Sequence, residues 1–156
     1  MTLDPPLAET LRQIADAAES AQDDWWLIGS AAVALHGGAV GALKDVDLLM
    51  SERDAAALLR RAGIEPAAGV PDAMFHSAVR GSWEGPPVPV DVLGGFTFAA
   101  AEGWQALALT TREAIAVVDR TVYVPAVAEL KALLLSFGRE KDLARAALLD
   151  ARAASA

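Results

Sequence analysis

The chain has 156 residues, 54% of them hydrophobic and 22% charged, a balance typical of a globular domain and not of a disordered segment. Its net charge of −8 argues against a broad nucleic-acid-binding surface, which needs Lys and Arg to neutralise phosphates. There is no cysteine for a disulfide or a thiolate metal site, and no signal peptide or membrane span is apparent. We therefore expect a cytoplasmic protein.

The first two predicted elements are a helix and a short strand. Apolar residues recur at three- and four-residue spacing over residues 3–22, with acidic residues on the opposite face, a pattern typical of an amphipathic helix. Asp4 followed by Pro5 fits its N-cap and first turn. We interpret this helix as a packing element. The apolar residues 25–28 predict the first strand.

The Gly29-Ser30 pair predicts the start of a second helix, which extends to about Leu35. The unpaired N–H groups at a helix start lie at the positive end of its dipole and suit an anion such as phosphate. Ser30 would add a hydroxyl donor to this anion site, or it would only cap the helix. His36, at the helix end, is either a metal ligand or base, or a capping and packing residue.

The second predicted strand carries Asp45 and Asp47. Because strand side chains alternate between faces, these two carboxylates should point the same way. Adjacent carboxylates repel each other and raise one another's pKa unless a cation lies between them. Since hard divalent cations take oxygen ligands, the pair predicts a metal site.

A third helix is predicted directly after the aspartate strand. Ser51 and Asp54 resemble a capping box in which Asp replaces Glu. Apolar residues at helical spacing extend the helix to about Arg61, and Gly63 ends it.

Residues 74–80 and 88–93 predict two strands joined by a hairpin loop at 81–87. The valines of the second strand share one face, and Asp91 points to the other. An isolated Asp within an apolar strand is costly to bury without a partner. Asp91 is therefore either exposed on a sheet face or a third ligand beside the two earlier aspartates.

The region after Asp91 is harder to interpret. Gly94-Gly95 predicts the end of the strand, and residues 97–109 are ambiguous. A late hairpin is predicted over residues 115–124. Four apolar residues of this region are expected in the core: Phe96, Phe98, Trp104 and Leu107.

Two helices are predicted to complete the chain. Pro125 precedes a helix over residues 127–137, which Gly138 ends. A last helix opens at Arg139. Its expected packing stripe consists of Leu143, Ala146, Ala147 and Leu149.

As a set, these residues suit two-metal phosphoryl or nucleotidyl transfer, because three carboxylates would meet on a sheet face beside a phosphate-accepting helix start. They resemble the polymerase-beta-like nucleotidyltransferase superfamily, and within it the minimal bacterial branch of abortive-infection and type IV toxin–antitoxin nucleotidyltransferases. The matching motifs are Gly29-Ser30, residues 34–37, Asp45-Val46-Asp47, Val90-Asp91-Val92 and the C-terminal run VPAVAELKALLLSFGREKDLARAALL. The resemblance covers most of residues 25–150.

The resemblance implies an α/β (α+β) fold in which a mixed sheet of about four to six strands is flanked by helices. It implies a single domain over residues 1–156, with a core at about 25–124 and C-terminal helices at about 126–152. A nucleoside triphosphate would be the donor and the acceptor is unidentified. Mg²⁺ or Mn²⁺ would be held by Asp45 and Asp47, with Asp91 as the third acid of the site, orienting or deprotonating the acceptor hydroxyl.

The resemblance also implies a set of triphosphate contacts. Gly29 and Ser30 would contact the triphosphate, and Lys131 and Lys141 would neutralise its charge. Alternatively, Lys131 is only the solvated face of its helix, and Lys141 forms a local charge pair with Asp142. The partner implied is an antitoxin-like protein or a second copy of the chain.

One departure from the family concerns the residues before Asp45. The family often has Arg and Thr or Ser four and two residues before this Asp, where this chain has Gly41 and Leu43. Lys44 should point to the opposite face from Asp45. The departure weakens the expected triphosphate binding but not the metal site. The alternative function is therefore a degenerate nucleotidyltransferase fold that acts as a binding module through a protein partner.

Overall fold

The computed structural model describes residues 3–70, 72 and 74–155, and the side chains as far as residue 152. Within this part of the chain, no helix is long and apolar enough to cross a bilayer. In chain order the elements are α1 (Pro5–Ala17), β1 (Trp26–Ile28), α2 (Gly29–Leu35), β2 (Val46–Met50), α3 (Glu52–Arg61), β3 (Phe75–Trp83), β4 (Val90–Ala100), β5 (Gly103–Ala106), β6 (Glu113–Val117), β7 (Arg120–Val124), α4 (Val127–Phe137) and α5 (Glu140–Ser155).

Strands β1, β2, β4 and β3 lie side by side in that order in a mixed sheet. β2 is parallel to β4, whereas β1 is antiparallel to β2 and β3 is antiparallel to β4. β5 pairs with the far end of β4 as a fifth strand, and β6 and β7 form a separate two-stranded sheet. The predicted α/β (α+β) fold with a mixed sheet of about four to six strands flanked by helices is confirmed.

One face of the mixed sheet carries the main hydrophobic core. Val46 and Leu48 of β2 and Val90 and Val92 of β4 point into this core and are fully buried. All five helices contribute apolar side chains to the same cluster. Because side chains alternate along a strand, the residues between these apolar positions are directed to the opposite face.

That opposite face carries a smaller, partly aromatic cluster, in which α4 packs on the sheet. Phe137 of α4 is at its centre, with ring centroids 4.9 Å from Phe75, 6.2 Å from Phe96 and 5.7 Å from Phe98. The predicted core positions Phe96, Phe98 and Leu107 all belong to this cluster or pack against it. The cluster fixes α4, and with it the start of α5, beside the face that carries the aspartates.

The predicted capping box is only half formed. Ser51 caps α3, since its Oγ accepts a hydrogen bond from the Asp54 backbone N–H at 3.2 Å. The buried Asp54 carboxylate instead accepts from the backbone N–H groups of Gln22 and Asp23 at 2.8–3.1 Å. Burial acts to raise the pKa of Asp54, but these amides and the Ser51 hydroxyl hold it below its usual value. Asp54 therefore ties α3 to the loop before β1.

The prediction that Gly94-Gly95 ends the strand is wrong, because β4 continues through both glycines to Ala100. A Cβ on Gly94 would lie 2.7 Å from the Cβ of Ala55. Gly94 is therefore a point of close packing between β4 and α3 rather than a strand end. The predicted loop at 81–87 is displaced to residues 84–89, because β3 extends to Trp83 and β4 begins at Val90.

Three of the predicted core positions are wrong. Trp104 on β5 is half exposed, and Leu143 and Ala147 lie on the outer face of α5. Ala146 and Leu149 of the same predicted stripe are buried. The buried face of α5 is therefore narrower than the spacing of its apolar residues predicts.

The predicted helix and hairpin boundaries are otherwise close to those observed. The late hairpin forms as β6 and β7. Gly138 ends α4 with a left-handed φ of +70°, as expected for a glycine C-cap. The first helix ends at Ala17 instead of residue 22, and its N-cap residue, Asp4, makes no side-chain capping bond.

Candidate active site

The register of the sheet places two carboxylates side by side. Asp47 of β2 pairs with Asp91 of β4 across the parallel ladder, on the face opposite the main core. Asp45 lies just before β2, two residues from Asp47. All three aspartates line a cavity of about 280 Å³ between the sheet and the start of α5. The fold thus brings together the three acids singled out from the sequence.

Asp47 lies in an environment that disfavours its charge. Burial, followed by the charges of Asp45 and Asp91, raises the pKa of Asp47 from 3.8 to about 7. Gly29, the first residue of α2, approaches closely: a Cβ there would lie 2.7 Å from Oδ2 of Asp47. The φ of Gly29 is +64°, so glycine meets both the conformational and the steric requirement of this position.

Asp91 differs from Asp47 because it has a cationic partner. Nε and Nη2 of Arg80 donate to the two carboxylate oxygens of Asp91 at 3.0 and 2.7 Å. Arg80 pairs with Leu93 in the β3–β4 ladder, so its side chain reaches Asp91 diagonally on the same face. The Arg80 side chain is 50% exposed and that of Asp91 19% exposed, and both line the cavity.

The start of α5 supplies a cationic wall opposite the aspartates. The buried Asp142 side chain accepts two hydrogen bonds from the Arg139 guanidinium, at 2.6 and 2.9 Å, and lies 3.7 Å from Nη1 of Arg145. The Arg139 guanidinium also lies over the Phe75 ring, 4.6 Å from its centroid. Arg139, Arg145 and Lys141 all line the cavity together with the three aspartates.

The residues predicted to contact a triphosphate separate into two pairs. Gly29 and Lys141 line the cavity, whereas Ser30 and Lys131 are not among its lining residues. Lys131 instead donates from Nζ to Asp150 at 2.8 Å, between α4 and α5. His36 is the C-cap residue of α2, and its Nε2 lies 2.7 Å from the Pro125 carbonyl oxygen. The geometry of His36 thus corresponds to the capping and packing alternative.

The aspartates of the cavity offer oxygen ligands of the kind that a hard divalent cation takes. Within the described residues, no group of three acidic or His side chains is arranged to hold a metal ion. Asp91 is paired with Arg80, and its place in a three-aspartate metal site stays a prediction. Asp45 and Asp47 form no salt bridge in the same part of the chain. Two carboxylates are a sufficient protein donor set for Mg²⁺, whose shell is completed by phosphates and waters.

The loop before Asp45 supplies nothing to the cavity. Gly41 is exposed with a φ of +74°, and no atom lies within 4 Å of the position of a Cβ there. Leu43 packs against the main core, and Lys44 is exposed. Gly41 and Leu43 therefore provide neither the cationic side chain nor the hydroxyl that the resemblance implies at these two positions.

Three arginines that line the cavity are not among the site residues predicted from the sequence: Arg80, Arg139 and Arg145. Alternation along β3 predicts that Arg80 and His76 lie on one face of the sheet, but the pairing of Arg80 with Asp91 depends on the β3–β4 register. Arg139 lies in the Gly-Arg-x-Lys-Asp run that supports the resemblance, so the motif was visible in the sequence although the contact with Asp142 was not.

Solved nucleotidyltransferase structures are similar to this one. A candidate nucleotidyltransferase from Thermotoga maritima matches with a TM-score of 0.76 at 17% identity, over 99% of this chain and 97% of that one. The antibiotic-resistance factor ANT(2'')-Ia matches with a TM-score of 0.62 at 13% identity, over 96% of this chain and 85% of that one. The lincomycin-bound lincosamide antibiotic adenylyltransferase LnuA matches with a TM-score of 0.57 at 19% identity, over 90% of this chain and 94% of that one.

The sequence itself matches no family model and no curated protein. At these identities, structural similarity is evidence of a common fold and not of a common activity. The chain has the nucleotidyltransferase fold.

Proposed function

We propose that the protein is a divalent-metal-dependent nucleotidyltransferase, which moves a nucleoside monophosphate from a nucleoside triphosphate to an acceptor hydroxyl. The observation that carries this proposal is the alignment of Asp47 with Asp91, beside Asp45, in a cavity whose other wall is cationic. The acidic wall suits a metal, and the cationic wall suits the triphosphate that the metal accompanies. The fold likeness to nucleotidyltransferases supports the same reading.

In the proposed reaction, the acceptor oxygen forms a bond to the α-phosphorus while the bond from that phosphorus to the β-phosphate bridging oxygen breaks. Pyrophosphate leaves with the electron pair, and Asp91 takes the proton of the acceptor hydroxyl. Arg139 and Lys141 bind the phosphate oxygens from the α5 side. A divalent cation held by Asp45 and Asp47 would supply Lewis-acid stabilisation of the charge on these oxygens.

The acceptor in this proposal is an RNA, a protein or a small molecule. The net charge of −8 disfavours an extended nucleic-acid surface. Phe75, Phe96 and Phe137 also line the cavity, so part of its wall is apolar. A toxin–antitoxin role would require, in addition, a protein partner whose binding blocks this cavity.

Label transfer tests the proposed activity directly. The protein is incubated with each of four α-³²P-labelled nucleoside triphosphates, Mg²⁺ or Mn²⁺, and a cell extract, and the labelled product is identified. We expect transfer by the wild-type protein, and transfer at background level by Asp47→Asn, which keeps the shape of the side chain but removes a metal-binding charge. Asp4→Asn is the matched control, because Asp4 is exposed and makes no capping bond. Transfer by Asp47→Asn at the wild-type rate would contradict the mechanism.

A second candidate is a binding module that keeps the fold without the activity, and the loop at Gly41 and Leu43 favours it. Thermal denaturation separates the two candidates. A shift that requires a nucleoside triphosphate and Mg²⁺ together supports the transferase, whereas no shift with any of the four nucleotides supports the module.

A further inference from the structure

We propose that the hydroxyl of Ser77, on β3, is a specificity-determining contact that binds a hydrogen-bonding group of a small-molecule acceptor. This inference rests on the proposed transferase function and names the class of its acceptor. The contact lies in the part of the cavity formed by β3 and the second half of β4, away from Asp45 and Asp47.

Two adjacent glycines of β4 change the face to which the following residues point. A Cβ on Gly94 would lie 2.7 Å from the Cβ of Ala55. A Cβ on Gly95 would lie 2.7 Å from Cγ of Glu52, so both glycines face α3. Gly95 has a φ of +61°, and the usual alternation of faces is interrupted there. Residues beyond Gly95 therefore lie on the opposite face from the one that simple alternation predicts.

The neighbours of Ser77 identify the face on which its side chain lies. Ser77 pairs with Phe96 in the β3–β4 ladder, and Phe75 lies two residues before it on the same strand. The Phe75 and Phe96 rings are stacked, with 5.5 Å between their centroids, and both lie against Phe137 of α4. Like these rings, Ser77 lines the cavity. Its side chain is therefore on the cavity face, although Val79, two residues further on, packs against the main core.

The Ser77 hydroxyl is buried without a partner. Within the described part of the chain, four polar side chains are buried: Thr10, Asp54, Ser77 and Asp142. Hydrogen bonds hold the other three, whereas none reaches the hydroxyl of Ser77, which is 3% exposed. No fully enclosed side-chain polar atom of the described residues lacks a partner, so this hydroxyl opens on the cavity. A buried hydroxyl without a hydrogen bond costs free energy, and a ligand group that bonds to it removes that cost.

The position of Ser77 in the sheet favours the acceptor over the triphosphate. In the strand order β1-β2-β4-β3, Gly29 and Asp47 lie on one side of Asp91, and Ser77 lies on the other. In phosphoryl transfer the attacking and leaving oxygens lie roughly in line, on opposite sides of the phosphorus. With pyrophosphate on the Gly29 side, the acceptor therefore lies on the β3 side, where it reaches Ser77.

The depth of the hydroxyl restricts the size of the acceptor. Ser77 is 3% exposed and opens on a cavity of about 280 Å³. The surface of a folded protein or of an RNA duplex cannot reach a hydroxyl at this depth, whereas a compound of low molecular weight can enter the cavity. The acceptor is therefore a small molecule with a hydrogen-bonding group directed to Ser77.

Because the chain contains no cysteine, a single introduced thiol tests access to this position. In folded Ser77→Cys, the small reagent methyl methanethiosulfonate should modify the thiol, whereas a maleimide with a long polyethylene glycol chain should not. Val122→Cys, in the main core, is the control for a thiol that neither reagent reaches. Ala101→Cys, on the surface, is the control for a thiol that both reach. A Ser77→Cys thiol as unreactive as that of Val122→Cys would overturn the inference.

Label transfer tests the role of the hydroxyl. With dilute cell extract as the source of acceptor, Ser77→Ala should lower the rate of transfer by about three- to tenfold, and the deficit should shrink as the extract is concentrated. The thermal shift caused by a nucleoside triphosphate and Mg²⁺ together should equal that of the wild type. Ser82→Ala is the matched control, because Ser82 lies on the same strand but does not line the cavity.

Two results with Ser77→Ala would contradict the assignment. Transfer at the wild-type rate would mean that the hydroxyl binds only water. A smaller thermal shift would mean that Ser77 contacts the nucleotide and not the acceptor.

The labelled product gives the size of the acceptor. We expect the label in a compound that passes a dialysis membrane, and label on RNA or protein would overturn the small-molecule assignment. If the wild-type protein transfers no label from any of the four nucleotides, the proposed function fails and the assignment of Ser77 fails with it. Wild-type transfer that Ser77→Ala leaves unchanged overturns only the assignment of Ser77. The two failures are therefore distinguishable.

Discussion

The substitution Asp47→Asn should make the metal-free protein more stable at alkaline pH while it removes metal binding. The carboxylate of Asp47 is held in a buried position beside Asp45 and Asp91, and its pKa is raised from 3.8 to about 7. Folding thus favours the protonated form of Asp47. The charged form, which dominates above pH 7, costs stability in the absence of a cation.

The size of this effect follows from linkage. A difference of about three pKa units between the folded and unfolded chain corresponds to about 4 kcal/mol above pH 7, since one unit is worth about 1.4 kcal/mol. Below pH 3.8 the group is protonated in both states, so the cost vanishes. Between the unfolded pKa of 3.8 and the folded pKa of about 7, the free-energy cost of the charged Asp47 grows with pH. Allowing for imperfect replacement by Asn, we expect Asp47→Asn to stabilise the metal-free protein by about 2–4 kcal/mol at pH 8 and by less than about 1 kcal/mol at pH 4.

Urea denaturation of metal-free protein at pH 8 and pH 4 measures the effect, with Asp4→Asn as the control for loss of an exposed aspartate. Adding Mg²⁺ and a nucleoside triphosphate should make the wild type more stable than Asp47→Asn at pH 8, because these ligands stabilise only the protein that binds them. A gain that is equal at both pH values would refute the reasoning, because it would not come from ionisation of Asp47. A loss of stability at pH 8 would refute it as well.

Two further substitutions test contacts that position the site. Asp54→Asn should lower stability by about 2–4 kcal/mol at pH 7, because it weakens the bonds from the Gln22 and Asp23 amides. Since the folded pKa is lowered, this contribution is present above the unfolded pKa and lost as pH falls, so urea denaturation at pH 3 should show a smaller difference. Gly94→Ala should lower stability by about 1–3 kcal/mol, because its Cβ would meet that of Ala55, and adding Ala55→Gly should restore part of the loss.

The parts of the fold that were predicted correctly depend on local signals. Alternating apolar residues identify β2 and the first half of β4, and Gly138 identifies the end of α4. The errors occur where distant packing decides the outcome. The Gly94-Gly95 pair predicts a strand end, yet the missing side chain of Gly94 allows the close approach of α3. Trp104 is expected in the core as an apolar residue, but it lies on the short strand β5, all of whose residues are exposed.

The same distinction holds for the candidate site. Asp45, Asp47 and Asp91 could be found because strand alternation fixes which face each carboxylate occupies. Their ionic partners could not be found, since a long side chain can reach several carboxylates and only tertiary structure selects one. Lys131, for example, faces Asp150 of α5 rather than the cavity.

The geometry of the carboxylates is a consequence of how the core is built. Val46 is paired with Val90 in the same ladder that aligns Asp47 with Asp91. Because the period of a strand is two residues, a shift of one residue between β2 and β4 would place a carboxylate opposite a buried valine. The burial of the valines therefore excludes registers shifted by one residue, in which Asp47 and Asp91 could not both lie on the face opposite the main core. The packing of the main core thus keeps Asp47 and Asp91 on one face of the sheet. In the absence of a cation, the charge of Asp47 there lowers the stability of the folded protein.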